Sequence, residues 1–164
     1  MTNADFKTLC DWLGINAPWL EDCGAIAVHA RTTDYWLNGR FGQKTQIPSD
    51  ILDAVYKVEA WSSIQKDILT DYWADQDFKD VVLIRFRNDD DFNKLKHSAT
   101  EFRLNCAIHN TMIMRVWAYF RDQGISCTVE SLEVEIYLAW LGTKKDTQQA
   151  RLEWARAKIK EYSI

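Results

Sequence analysis

The chain has 164 residues, enough for one ordinary domain or two small ones, and its 47% apolar and 27% charged residues allow a packed core. No apolar run approaches the roughly 18 residues needed to span a bilayer, which excludes a helical membrane protein. The net charge of −4 argues against a protein that holds nucleic acid by bulk charge, because phosphate neutralisation supplies most non-specific affinity. Eight Trp supply large buried surfaces, and only two Pro and six Gly leave little to interrupt long helices. The polar start, Met1 to Lys7, does not read as a secretory leader, so a cytoplasmic location is expected. Cys10, Cys23, Cys106 and Cys127 are far apart, form no CxxC pair and are expected as reduced, mostly buried thiols.

Phe6, Leu9, Cys10 and Leu13 recur at i, i+3, i+4 and i+7, predicting a first helix over about 3–13 that Gly14 ends. Asn16 is a natural N-cap and Pro18 suits a first turn, so a short second helix is predicted over 17–23, stopped by Gly24. A third helix is predicted over 29–37. Val28, Thr32 and Trp36 line its apolar face with Thr33 beside them, and His29, Ala30, Arg31, Asp34 and Tyr35 point elsewhere. Asn38-Gly39 stops it, and a polar loop over 40–47 follows.

Pro48-Ser49 opens a fourth helix whose apolar stripe begins at Ile51, Leu52 and Val55 and extends to about 74, with a bend allowed near Ser62-Ser63. Asp75-Gln76-Asp77 reads as a linker. Val81-Val82-Leu83-Ile84-Arg85-Phe86 is the clearest strand. Asn88 to Asp91 should cap a helix running to about 96. A long helix is predicted over 99–123, with an interruption allowed near Asn105. A second strand is placed within 125–134, and two helices close the chain over 134–141 and 147–161.

The chemistry of catalysis is hard to find. His29, His97 and His109 are scattered, there is no phosphate-binding glycine loop, and Asp89-Asp90-Asp91 reads as helix capping rather than a metal cluster. No enzyme activity and no cofactor are expected. The stripe Ile108, Met112, Val116, Trp117 and Phe120 reads as core or dimer interface. The informative segment is 17–40. A helix-turn-helix needs apolar residues at fixed spacing on its buried side, here Leu20, Val28 and Trp36, and polar residues facing outward. From Ala27 to Pro48, Arg31, Arg40 and Lys44 stand against Asp34 alone, a local net charge of +2.

Val28 to Arg40, with its Tyr35-Trp36-Leu37-Asn38-Gly39-Arg40 core, resembles the recognition-helix segment of Xre (Cro/cI-type) phage repressors, and Ile47-Pro48 resembles the opening of their fourth helix. The resemblance covers about residues 4–60. It departs at Leu37, where a Glu is common, and in the greater length of the loop after Arg40 and of the turn from Gly24 to Val28. More loosely, Val82 to Arg87, Tyr137 to Leu141 and Arg151 to Ala155 are similar to phage and prophage autorepressors that carry a C-terminal domain of unclear role.

The resemblance implies a mainly α protein, with a lambda-repressor-like helix-turn-helix domain at 1–74 including an extended helix, and a smaller α+β dimerisation or effector part at 75–164. It implies a sequence-specific regulator, a homodimer on a double-stranded DNA operator. Ala30, Arg31 and Tyr35 match positions that reach base edges, Asp34 lies on the same edge, and Asn38, Arg40 and Lys44 would touch phosphates. His29 would contact DNA or cap the helix, and Trp19 would pack against the DNA backbone. The alternative is a protein-interaction module or an antitoxin-like partner of another protein.

Overall fold

The computed structural model describes residues 1–24, 28–38, 46–95 and 103–162. The predicted loop at 40–47 with Arg40 and Lys44, and the segment at 96–102 with His97, lie largely or wholly outside the described residues. The described residues are mainly helical, with one small parallel sheet. Among the described residues, no helix is long and apolar enough to cross a membrane.

Local signals set the first two helices. Helix α1 spans Asn3–Leu13, and Thr2 and Asp5 form a reciprocal capping box at its start. Its end is a Schellman turn: Gly14 N–H bonds to Asp11 O, and Ile15 N–H to Cys10 O. Gly14 sits at φ +73°, and a Cβ there would lie 2.3 Å from Thr111 Oγ1 and 2.8 Å from Ala107 O, so glycine is required twice over. Helix α2, Ala17–Cys23, is capped by Asn16, whose side chain accepts from Trp19 N–H at 3.1 Å. Helix α3 spans Ala30–Asn38, one residue later than expected at both ends.

Helix α4 runs unbroken over Ser49–Ala74. The helical assignment continues through Ser62-Ser63. Ser62 is buried and its Oγ accepts from Arg115 Nη1 at 2.8 Å, so its hydroxyl is satisfied from a neighbouring helix. Strand β1, Val81–Phe86, is followed by α5, Asp89–Lys94. Asn88 caps α5, accepting from Asp91 N–H at 2.8 Å, and three aspartates fill the first turn where the helix dipole favours them. Asp89 also accepts from Cys106 N–H at 2.6 Å, joining the starts of two helices.

Helix α6 is Cys106–Asp122, capped by Asn105, so the residue where an interruption was allowed begins the helix. Strand β2, Cys127–Leu132, pairs parallel with β1 in the register Val81 to Cys127. Parallel pairing needs a long crossover, which α5 and α6 provide. Helices α7, Val134–Leu141, and α8, Gln148–Tyr162, close the chain. Their corner is held by Asp146, which accepts from Tyr137 Oη at 2.6 Å and Arg151 Nε at 2.8 Å.

Val81, Val82 and Leu83 are all buried, as expected for a strand covered on both faces. The covering helices are α6 and α8. The α6 stripe of Ile108, Met112, Val116 and Phe120 is buried within the chain, with Trp117 half-buried beside it, so it serves the core rather than a dimer interface. One hydrophobic cluster joins Phe6 and Trp36 near the N-terminus to Trp73, Val116, Tyr137 and Trp154. The segments on either side of residue 75 therefore share a core, with α6 packed along α4 and against α1.

Candidate nucleic-acid interface

Helix α3 is anchored from below. Trp36 is 2% exposed and meets Phe6 of α1 edge to face, with ring centroids 6.3 Å apart. Thr33 is fully buried, and its Oγ1 donates to Ala30 O at 2.9 Å and lies 3.4 Å from Glu21 Oε1 of α2. Leu37 packs half-buried beside them. The buried residues are therefore Thr33 and Trp36, with Val28, Thr32 and Leu37 half-buried around them. The face expected on Val28, Thr32 and Trp36, with Thr33 beside it, is thus rotated towards Thr33. Thr33 buries its hydroxyl without cost because the helix backbone satisfies it.

That rotation leaves the predicted readout residues outward. Ala30, Arg31 and Asn38 are exposed, and Asp34 and Tyr35 are half-buried. Two i,i+4 pairs run along this face. Arg31 Nε donates to Tyr35 Oη at 2.8 Å, and Asn38 Nδ2 donates to Asp34 Oδ1 at 2.5 Å. The Arg31 guanidinium carbon lies 5.7 Å from the Tyr35 ring centre. Among the described residues, Arg31 makes no ion pair with a carboxylate, and its hydrogen bond is made through Nε. Arg31 is exposed, and among the described residues its two terminal nitrogens make no hydrogen bond, which leaves a flat, forked donor on the surface.

His29 precedes the helix and is exposed. Its carbonyl accepts from Thr32 N–H at 2.7 Å and Thr33 N–H at 3.3 Å, so it opens the first turn through its backbone. Trp19 departs from expectation. It is 7% exposed, and its Nε1 donates to Arg103 O at 2.7 Å, 84 residues along the chain. Its indole is committed to the protein and cannot lie against a phosphate backbone.

The surroundings are not uniformly basic. Beside Trp19, a cleft is lined by Asp50 and Asp53 as well as Lys57 and Arg103. The arrangement can present hydrogen-bond donors and acceptors along one helix face. All four cysteines are free thiols. Burial pushes Cys10 up to about 12, and Cys23 and Cys127 up to about 11.

Sequence reasoning missed two contacts that fix this region. One is the Arg115 guanidinium, 4.5 Å from the ring centre of Trp12. The other is Glu21, whose carboxylate faces Thr33 across the two helices. Neither carries a local signal, since each joins residues on different elements. In comparisons with known proteins, no family model and no curated protein matches this chain.

Proposed function

We propose that the protein is a sequence-specific DNA-binding transcriptional regulator, a repressor that occupies an operator and controls its own synthesis. In this reading residues 1–74 act as a lambda-repressor-like helix-turn-helix unit and α3 enters the major groove. The observation that carries it is the outward face of α3: Ala30, Arg31, Asp34, Tyr35 and Asn38 line one edge of a helix anchored by Thr33 and Trp36. The resemblance of 28–40 to Xre-type recognition helices supports it independently of that exposure.

Arg31 is assigned to direct readout, bidentate to a guanine through its two terminal nitrogens while Tyr35 steadies its Nε. Asn38, Arg40 and Lys44 are assigned to phosphates. One helix in one groove reads few bases, so the protein acts as a homodimer, paired through 75–164. A DNA operator as target places it in the cytoplasm of its host.

The second reading is a protein-interaction module. It is favoured by the net charge of −4 and by α7, which leaves Ile136, Leu138 and Trp140 exposed.

The test is fluorescence anisotropy with DNA from upstream of the gene and with random duplex, at low and physiological salt, for the native protein and Arg31→Ala. The expected result is specific, salt-weakened binding. Arg31→Ala should lose roughly 5- to 150-fold in affinity on the specific site, the worth of one bidentate base contact. Equal affinity for both duplexes, or none, overturns the proposal.

A further inference from the structure

Among the described residues, strand β1 has a strand partner on one side only. Its other edge faces a cavity of about 360 Å³ walled by α4, α6 and the start of α8. The lining identifies an edge rather than a face. Successive side chains of a strand point to opposite faces, yet Val82, Leu83 and Ile84 all line this one cavity. Only the main-chain edge can present consecutive residues to the same space.

The end of that edge shows what chemistry it accepts. Phe86 N–H donates to Asn110 Oδ1 at 3.0 Å, and Asn110 Nδ2 donates to Phe86 O at 2.7 Å. A side-chain amide from α6 thus takes the place that the peptide group of a third strand would hold. In a parallel ladder, residues alternate between pairing with the neighbour and pointing away from it. Phe86 points away from β2, so Ile84 and Val82 do too. Among the described residues, no hydrogen bond fills the outward N–H and C=O of either residue. Val82 is 3% exposed, and unpaired main-chain groups at such depth are uncommon.

We infer that this edge is a strand-addition site for a short extended oligopeptide, whose main chain pairs with Val82 and Ile84 and continues the amide that Asn110 supplies at Phe86. The spacing of the outward groups, about 6.7 Å for every second residue, is that of an extended peptide. The cavity volume admits two or three residues. Trp61, Ile68 and Leu69 of α4 and Met112 and Ile113 of α6 give the lining an apolar part that suits aliphatic side chains. Gln65, His109, Asp146, Gln148 and Arg151 make the rest of the lining polar, so the site also offers hydrogen-bonding groups to the peptide ends. Main-chain pairing gives affinity and the walls give selectivity. The site lies away from α3 and does not depend on the DNA reading.

The test uses N-acetyl-Val-Val-N-methylamide, followed by ¹⁵N NMR and amide exchange on the full chain. The expected result is saturable binding, with shifts and increased protection at the Val82 and Ile84 amides and little change at Leu83 and Arg85. Ile84→Pro removes only an outward donor, a change that edge strands tolerate, and should weaken binding at least tenfold. Because that variant can fail to fold, the second arm keeps the native protein and N-methylates the internal peptide amide, which should also cost at least tenfold. Adenine is the competing probe. Binding of adenine at these amides without peptide binding overturns the proposal, as does equal affinity for the N-methylated peptide or no saturable binding at millimolar concentration.

Discussion

The guanidinium of Arg115 lies 4.5 Å from the ring centre of Trp12, and its Nη1 donates to Ser62 Oγ at 2.8 Å. One side chain of α6 thus holds the end of α1 and the middle of α4 together. Burial lowers the pKa of Arg115, and nearby Glu59 opposes that shift. Arg115→Ala leaves a buried hydroxyl without its donor and should cost about 1–3 kcal/mol. Trp12→Ala removes a cation–π contact from a ring that is 55% exposed and should cost about 0.5–1 kcal/mol. Urea unfolding of both single variants and the double variant checks this. Strictly additive losses would show that the two residues are not coupled.

Gly14 tests the same junction from the backbone side. Gly14→Ala incurs the left-handed backbone penalty, about 1–2 kcal/mol, and an overpacking penalty of about 1–3 kcal/mol against Thr111 and Ala107. Gly124 has a similar φ of +72° but open space around it, so Gly124→Ala should incur only the first penalty. Thr111→Ala in the Gly14→Ala background should recover part of the loss. Thermal unfolding of the set separates strain from collision.

Lys158 on α8 donates to Glu133 at 2.5 Å and Glu130 at 2.8 Å, tying the last helix to β2 and the start of α7. Hydrogen bonding from Lys158 lowers the pKa of Glu133 from its ordinary 4.5, against a smaller opposing effect of burial, and the charges of Lys158 and Arg87 reinforce the lowering. A depressed carboxyl stabilises the fold above its unfolded pKa, and that stability is lost as pH falls through the folded value. Stability should therefore decline below about pH 4.5, and Glu133→Gln should flatten that part of the profile. Denaturant midpoints from pH 3 to 7 give the slope, and identical slopes for both proteins would refute the assignment.

Burial holds the Cys10 thiol neutral, pushing it up to about 12, with the nearby Asp11 charge adding to the shift. The thiolate is the nucleophile, so native Cys10 should react with a thiol reagent at pH 8 on the order of a hundredfold more slowly than in denaturant. Mass spectrometry of timed alkylation resolves the four cysteines. Rapid labelling of native Cys10 would show that α1 opens readily from the core.

The exposed half of the candidate interface was readable from helical period alone. Arg31, Asp34, Tyr35 and Asn38 fall within one arc, and any packing of Trp36 inward turns them outward. The exact buried face was not readable. Thr32 and Thr33 are chemically the same, and the choice between them rests on Glu21 and Phe6, which lie 12 and 27 positions earlier in the chain. Trp19 shows the same limit. Its place in the first turn of α2 was legible, but its burial depends on a carbonyl at Arg103.

The sequence by itself determined the order and type of the helices and strands and most of their ends. Asn16, Asn88 and Asn105 each cap a helix through an N–H three residues on, and Gly14 terminates α1. The six residues at 81–86 form a strand because β-branched and aromatic side chains suit a pleat. These signals act within one turn or one strand, so a single stretch of chain contains them. Only the tertiary structure decided that β1 and β2 run parallel, that the buried Ser62 hydroxyl is satisfied from α6, that Arg115 bridges α1 and α4, and that one edge of β1 faces a cavity. Each joins residues tens of positions apart, and the free energy that selects them comes from burial and pairing that exist only once the chain has closed on itself.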